Sequence, residues 1–184
     1  MEQAPPVPAS LEQASAEQAV VENEPIYLEA LSPGDQWTSP AREITGDDVA
    51  EFAVLTGDDD PLHTDPTAPS PFGRPIAHGL LGLSIMAGLS SNCPRTATLA
   101  LVEVSQWEFQ QPIFFGDRVR TRATIESITP HGRRAGRVVW VRELINQNDR
   151  VVQRGRIVTL VARRHRHAAR PKLDGEARKA LPPR

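Results

Sequence analysis

The chain has 184 residues, of which 39% are hydrophobic, and this suits one globular domain with a substantial buried core. No apolar run approaches the roughly 20 residues that cross a bilayer, and the acidic N-terminal region does not resemble a secretory signal, so we expect a cytoplasmic protein without a membrane partner. The single cysteine, Cys93, excludes an internal disulfide and a zinc site built from cysteines.

The two ends of the chain carry opposite charges. Residues 1–30 contain six glutamates and no lysine or arginine, whereas residues 163–184 contain eight lysines and arginines against two acids. We predict that residues 1–24 are disordered, that residues 25–163 form the domain, and that residues 164–184 form a flexible basic tail. The tail has no interleaved aromatic residues for base stacking, so we expect no nucleic-acid partner. Attraction of an anionic cofactor or carrier protein is the alternative to a solvated tail.

The first predicted elements are a short strand or strand pair and a short helix. Residues 26–44 alternate apolar and polar positions around a Ser-Pro-Gly-Asp turn, which is typical of strands. Thr45 followed by Asp48 three residues later indicates a capping box at the start of a helix. The apolar face of this helix is predicted to comprise Val49, Phe52, Ala53 and Leu55.

The helix leads into the loop "TGDDDPLHTD", residues 56–65, which holds three consecutive aspartates and His63. A solvated turn is one interpretation of this stretch. The other interpretation is chemical, because an Asp and a His held on one short loop can orient a water molecule and exchange its protons. Pro61 restricts the backbone between the two groups.

The next segment, "IAHGLLGLSIMAGLSS", is apolar on nearly all sides, which predicts a central buried helix. Its glycines, Gly79, Gly82 and Gly88, suggest that other backbone approaches closely. Unpaired N–H groups at the helix start would stabilise a developing oxyanion, and Gly79 leaves them open to a ligand. For His78 the favoured interpretation is a packed, hydrogen-bonded imidazole at the helix start.

The remainder of the domain has the alternating pattern of β-strands. Four β-branched segments within residues 96–163 are separated by Gly-Asp, His-Gly and Asn-Asp turn signals. We predict an antiparallel meander, with Trp107 and Phe109 in the core or in a pocket wall. A long helix wrapped by a curved antiparallel sheet is an α+β architecture.

Three motifs in order, "LTGDDDPLHTDP", "GRPIAHGLLGLS" and "QPIFFGDRV", resemble the MaoC-like dehydratases and (R)-specific enoyl-CoA hydratases over about residues 28–162. The resemblance implies the hot-dog fold, an antiparallel sheet around a long central helix, and dimerisation of hot-dog units into a homodimer or a higher homo-oligomer. It implies hydration of trans-2-enoyl thioesters to (R)-3-hydroxyacyl thioesters, or the reverse dehydration. Asp58 and His63 match the catalytic pair, and the backbone of Gly79 matches the oxyanion donor.

The resemblance also bears on the substrate and on cofactors. The substrate would be an acyl-CoA or an acyl-carrier-protein thioester, whose pantetheine is part of the substrate, and we expect no metal and no redox cofactor. His78 and Asp60 are grouped with Gly79 as candidate substrate-binding residues. An acyl-thioester hydrolase on the same fold and a non-catalytic acyl-thioester-binding homologue are the alternatives.

Two positions depart from the family pattern, and several others have simpler interpretations. Asp60 stands where the family usually has Asn, and Ala87 stands where some members have Ser. We expect Asp65 to brace the loop and Asp117 to be a turn residue. Three arginines occur at every second position and would lie on one face of a strand: Arg118, Arg120 and Arg122. This face is either solvated or an electrostatic landing site for coenzyme A phosphates or an acyl-carrier protein.

Overall fold

A computed structural model of the protein describes residues 24–164. The predicted disordered segment and basic tail therefore lie, except for one residue each, outside the described residues, and the domain boundaries stay a prediction. Within residues 24–164, no helix has the length and apolar character needed to cross a membrane.

The described residues form six strands and three α-helices. A 3₁₀ helix at Leu28–Ala30 precedes two short strands, β1 (Gln36–Thr38) and β2 (Arg42–Glu43). The helices are α1 (Gly46–Thr56), α2 (Pro61–Thr64) and α3 (Gly79–Ser91), and the long strands are β3 (Thr98–Phe109), β4 (Arg118–His131), β5 (Ala135–Ile145) and β6 (Val151–Ala162).

The sheet is antiparallel, with the strand order β1-β4-β5-β6-β3 and with β2 also paired to β4. Strands β4, β5 and β6 form the predicted meander, but β3 pairs with β6 and not with its chain neighbour β4, so the prediction of one continuous meander was wrong. Residues 110–117 connect β3, at one edge of the sheet, to β4, which lies beyond β6 and β5 in the strand order. They pass the start of α3, where Ala77 N–H donates to the Ile113 carbonyl at 2.8 Å.

Helix α1 begins as predicted. The Thr45 hydroxyl accepts a hydrogen bond from Asp48 N–H at 3.1 Å, and the Asp48 carboxylate accepts one from Thr45 N–H at 2.9 Å. Val49 and Ala53 are buried, but Leu55, predicted on the same face, is 81% exposed. At 3.6 residues per turn Leu55 lies about 120° around the helix from Val49, which takes it off the buried stripe.

Helix α3 packs one side against the sheet through Leu81, Ile85 and Met86. The predicted burial on all sides is wrong for the single chain, because Leu80 is 59% exposed and Ala87 is exposed. The helix is apolar all round although the sheet covers only part of it, and an uncovered apolar side indicates a further contact surface.

The expectation that backbone approaches the helix glycines is also corrected. A Cβ atom added to Gly79 would lie 3.0 Å from the Phe109 ring, and one added to Gly82 would lie 2.3 Å from the Gln153 amide nitrogen. Both close neighbours are side chains from the sheet, and Gly88 has no such neighbour within 4 Å. Two of the three glycines thus make room for side chains at the start of the helix.

Candidate active site

Three side chains converge where the acidic loop meets the start of α3. Asp58, His63 and His78 each place a polar atom within 4.8 Å of the others. Gly57, in the left-handed conformation with φ of 77°, ends α1 and turns the chain into the loop. The fold therefore brings the predicted Asp and His together and adds His78 from the following helix.

His63 is held by a main-chain contact. Its Nδ1 lies 2.7 Å from the carbonyl oxygen of Ile76, and the Ile76 N–H donates to the carbonyl of Leu62 at 3.2 Å. A carbonyl only accepts hydrogen bonds, so Nδ1 is assigned the proton, and Nε2 of the neutral ring is left as an acceptor. His63 thus presents a basic nitrogen away from its anchor.

His78 is packed and hydrogen-bonded, as the sequence interpretation expected. It is 2% exposed, and its Nε2 donates to the Asp58 carbonyl at 2.9 Å. Its ring stacks on the ring of His63 with centroids 3.9 Å apart, and the ring of Phe52 lies 5.1 Å away. His78 therefore positions the backbone of Asp58 and the ring of His63.

The Asp58 carboxylate remains available to a ligand. Its side chain is 53% exposed, and the nearer carboxylate oxygen lies 4.0 Å from His78 Nε2, beyond hydrogen-bond distance. The backbone of Asp58 is anchored, because its N–H donates to the Thr56 hydroxyl at 3.3 Å and its carbonyl accepts from His78. The main chain is held while the charged group faces outward.

Asp60 is the N-cap of the short helix that carries His63. Its Oδ1 accepts a hydrogen bond from Leu62 N–H at 2.8 Å, and Pro61 occupies the first helical position. A cap needs only an acceptor oxygen, which the carboxylate of Asp and the amide of Asn both supply. This explains how Asp can stand where the family usually has Asn, and contact between Asp60 and a substrate stays a prediction.

Asp65 and Asp117, which the sequence predicted to be a loop brace and a turn residue, lie in a loop and in a turn. Asp65 Oδ1 accepts from the N–H and hydroxyl of Thr67 at 2.7 and 2.6 Å, and these hydrogen bonds lower the pKa of Asp65. Asp117 is buried in the turn before β4, where its carboxylate accepts from Phe114 N–H and from the Gln147 amide. Asp65 braces the loop and Asp117 lies in the turn that enters β4, as expected.

Gly79 is the first residue of α3, so its N–H has no acceptor within the helix. The Gly79 carbonyl accepts from the Gln153 amide at 2.9 Å, and the other end of that amide accepts from the Trp107 indole at 3.3 Å. Gln153 is 1% exposed and was missed by sequence reasoning. The available signal was a glutamine among the apolar residues of β6.

A cavity of about 260 Å³ connects these groups. His63, Gly79, Phe109 and Gln153 line it, together with Ile113. Phe109 thus forms part of a pocket wall, as one of the two predictions for it stated. The imidazole of His63 and the first residue of α3 therefore face the same cavity.

The convergence of Asp58, His63 and His78 also raises the question of a metal ion. Two of the four imidazole nitrogens are already bonded to the carbonyls of Asp58 and Ile76. Of the other two, His78 Nδ1 is closed off and has no hydrogen-bond partner within residues 24–164. The ligands that remain accessible are His63 Nε2 and the Asp58 carboxylate, one fewer than the three protein ligands of typical catalytic zinc sites. The cluster fits proton transfer better than metal binding.

Two of the three arginines of β4 are engaged with acids. Arg120 pairs with Asp149, and Arg122 pairs with Glu143. These contacts favour the interpretation of a solvated, ion-paired strand face over a landing site for phosphates.

The antiparallel sheet packed on one long helix defines a hot-dog fold. The Asp/His pair beside the start of that helix can act in acid–base catalysis. Residues 30–146, more than half of the chain, match the model of the MaoC-like domain. The chain belongs to the MaoC-like domain family.

Solved structures agree with this assignment. A MaoC-like dehydratase from Rhodospirillum rubrum superposes with a TM-score of 0.68 at 26% identity, covering 76% of this chain and 99% of that one. A Mycobacterium tuberculosis protein described as having a double hot-dog fold gives a TM-score of 0.65 at 20% identity, covering 76% of this chain and 45% of that one. The predicted hot-dog fold is confirmed.

Among curated proteins, the (R)-specific enoyl-CoA hydratase of Aeromonas caviae is 36% identical over 84 residues, or 44% of this chain and 61% of that protein. The 3-hydroxybutyryl-CoA dehydratase of Methylorubrum extorquens is 34% identical over 97 residues, or 51% of this chain and 60% of that protein. The matches cover less than two thirds of these relatives.

Proposed function

We propose that the protein adds water across the double bond of 2-enoyl thioesters and catalyses the reverse dehydration of 3-hydroxyacyl thioesters. One observation carries the proposal: His63 and the open start of α3 line the same cavity, and the Asp58 carboxylate lies beside His63. The names of the Aeromonas and Methylorubrum relatives describe the two directions of this reaction.

In the proposed complex the thioester carbonyl oxygen accepts a hydrogen bond from Gly79 N–H. Negative charge develops on this oxygen when a nucleophile attacks the β-carbon, and an N–H with no other acceptor stabilises that charge. The dipole of the thirteen-residue helix α3 adds favourable potential at the same end.

The water molecule lies between the Asp58 carboxylate and His63 Nε2, both of which accept hydrogen bonds. Its oxygen bonds to the β-carbon while the pair removes one of its protons. The electron pair of the double bond moves toward the α-carbon and the thioester, and the pair returns a proton to the α-carbon. The product gains one OH and one H, and the (R) configuration is proposed by similarity to the Aeromonas enzyme.

The acyl group is carried on coenzyme A or on the pantetheine of an acyl-carrier protein. The proposed reaction is a net addition of water without change of oxidation state overall, so it requires neither a redox cofactor nor a metal. His63, Asp58 and Gly79 supply the groups that it needs.

We also propose a homodimer formed through β3. This strand is at the end of the strand order, and Leu99, Leu101 and Val102 on it are 61%, 63% and 49% exposed. An apolar strand with a free hydrogen-bonding edge is a template for pairing with another chain. Pairing of two β3 strands would cover this edge and bring a partner beside the exposed side of α3.

The proposal is tested with crotonyl-CoA by the ultraviolet absorbance of the conjugated enoyl thioester, with a thiol reagent in a parallel reaction. Hydration lowers the absorbance without releasing free thiol. Release of coenzyme A would identify a thioester hydrolase instead. Binding of short, medium and carrier-linked enoyl thioesters without any chemical change would identify the non-catalytic alternative.

A further inference from the structure

A second cavity, of about 430 Å³, lies between α3 and the strand pair β3 and β6. Most of its lining surface is apolar and comes from residues that include Leu83, Ala87, Leu101, Val104 and Ile157, and serines and threonines complete the wall with Arg142. The cavity is larger than the one beside His63, and no residue of the proposed reaction lines it.

The second cavity lies beyond the first along three elements at once, although the two cavities share no lining residue. On α3 the lining advances from Gly79 to Ala87, a rise of about 12 Å at 1.5 Å per residue. On the sheet it advances from the register pair Phe109 and Gln153 to the pair Val104 and Ile157, about 13 Å along β6. Trp107 lies between the two cavities, with its ring over Gly155. An acyl chain whose thioester lies at Gly79 would therefore reach the second cavity by passing between Trp107 and α3.

One charged side chain lines this apolar cavity. Arg142 of β5 is 6% exposed, and its Nε and Nη1 are buried without a hydrogen-bond partner among the described residues. Its guanidinium lies 4.6 Å from the centroid of the Trp140 ring. Stacking of this kind holds a guanidinium in place. Nε and Nη1 are closed off, whereas Nη2 is neither closed off nor hydrogen-bonded within residues 24–164, so it is the nitrogen that a ligand in the cavity would meet.

The charge of Arg142 is not neutralised by the acids of residues 24–164. Its chain neighbour Glu143 is engaged with Arg122 and Arg154, and the ion pairs of the described part of the chain do not include Arg142. Burial lowers the pKa of Arg142 to about 10, so the group still carries its charge at neutral pH. A buried cation without an anion is costly, which points to an anion supplied from outside the described residues.

We propose that the natural substrate is a medium-chain thioester whose acyl group ends in a carboxylate, and that Arg142 binds this carboxylate. The inference rests on the proposed function, because that function places the thioester at Gly79. A carboxylate matches the guanidinium in charge, and one of its oxygens can accept a hydrogen bond from Nη2. A methyl-terminated chain of equal length would leave the cation buried and unpaired.

The test compares 2-octenedioyl-CoA, which ends in a carboxylate, with 2-octenoyl-CoA, which ends in a methyl group, together with the matching pairs of six and ten carbons. For at least one length, the wild-type kcat/KM should favour the carboxylate by about tenfold or more, the scale of a hydrogen bond to a charged group. Preference for the methyl-ended member of every pair would overturn the inference, and this result needs no variant.

Arg142→Met should abolish or reverse the preference. The matched control is Arg156→Met, because Arg156 is more exposed and pairs with Glu126, and it should keep the preference. Arg142→Lys retains the charge without the planar fork, and should keep part of the preference if Arg142→Met fails to fold. An unchanged preference in both Arg142 variants would reject the role of Arg142.

Binding separates this inference from the proposed function. If no enoyl thioester is hydrated, the affinities of suberyl-CoA and octanoyl-CoA, measured by calorimetry, test Arg142 alone. Tighter binding of suberyl-CoA that is lost in Arg142→Met supports the site without the reaction. Loss of the dimer in Arg142→Met with no change in ligand preference would instead assign the anion to the partner subunit and overturn the inference.

Discussion

The imidazole of His63 lies on the imidazole of His78, with ring centroids 3.9 Å apart and ring planes inclined by 30°. Each ring is also tied to the main chain of the other segment, His63 to Ile76 and His78 to Asp58. The acidic loop and the segment that starts α3 are therefore joined at the proposed active site by two reciprocal hydrogen bonds and a ring contact. The proposed chemistry depends on this pair of segments and not on the loop alone.

Asp58→Asn and His63→Ala should each lower kcat for enoyl-CoA hydration by about a hundredfold or more, the scale of lost acid–base assistance. Asp58 is exposed and His63 is only partly buried, so both variants should retain the melting temperature of the wild type within a few degrees. Asp59→Asn, a change of the neighbouring exposed carboxylate, is the control and should keep full activity. Wild-type rates in both Asp58→Asn and His63→Ala would reject the mechanism.

Asp60→Asn should leave hydration nearly unchanged, because the amide oxygen of Asn can still accept the hydrogen bond from Leu62 N–H. Asp60→Ala removes the cap, at a cost of about 1 kcal/mol in the stability of the turn that carries His63. We expect a lower kcat in Asp60→Ala than in Asp60→Asn, measured with one substrate at one pH. Equal loss in the two variants would show that the charge itself is required.

Gly79→Ala should lower kcat/KM by about tenfold or more, because misplacement of a ligand by a fraction of an ångström to 1 Å is costly at a reacting centre. The new methyl group would lie 3.0 Å from the Phe109 ring, which is 54% exposed and would move within the cavity. Gly88→Ala is the matched control in the same helix, with no atom within 4 Å of the added Cβ. It should keep activity and raise stability by up to about 1 kcal/mol.

The capping box of α1 should make stability depend on pH in the acid range. Partial burial opposes ionisation of Asp48, but hydrogen bonds from Thr45 and the charge of Arg42 outweigh it and lower the pKa of Asp48 below its ordinary 3.8. This stabilisation is complete above pH 3.8 and is lost as the pH falls through the lower folded-state pKa. The free energy of unfolding should therefore fall less steeply below about pH 4 in Asp48→Asn than in the wild type.

Denaturant unfolding at pH 7 and at pH 3 measures this difference. Asp47→Asn, in the same first turn but outside the capping box, should follow the wild type. Parallel acid curves for the wild type and Asp48→Asn would contradict the assignment.

Features that depend on a few adjacent residues could be predicted from the sequence. The capping box of Thr45 and Asp48, the helix that starts at Gly79 and the loop that holds Asp58 and His63 are local patterns, and the structure contains each of them. The hydrogen bonds of the capping box and of the Asp60 cap join residues two or three positions apart. Local chemistry therefore determines these two caps, whereas the contacts of the His63 and His78 rings depend on the fold.

Features that depend on distant partners could not be predicted. The pairing of β3 with β6 is decided by how the whole sheet covers α3, and alternation within β3 carries no information about its neighbour. The hydrogen bond from Gln153 to Gly79 joins residues 74 positions apart. The buried charge of Arg142 is likewise visible only once β5 is placed under the helix.

The two acceptors that hold the histidine rings are main-chain carbonyls, at Asp58 and Ile76. No side-chain substitution can delete a carbonyl, so the proton positions on both rings are protected from most single mutations at those two residues. The side chain of Ile76 takes no part in the hydrogen bond to His63, so a substitution there that keeps the path of the backbone keeps the bond. Replacement of His63 or His78 itself, in contrast, removes both its hydrogen bond to the carbonyl and the stacking of the two rings.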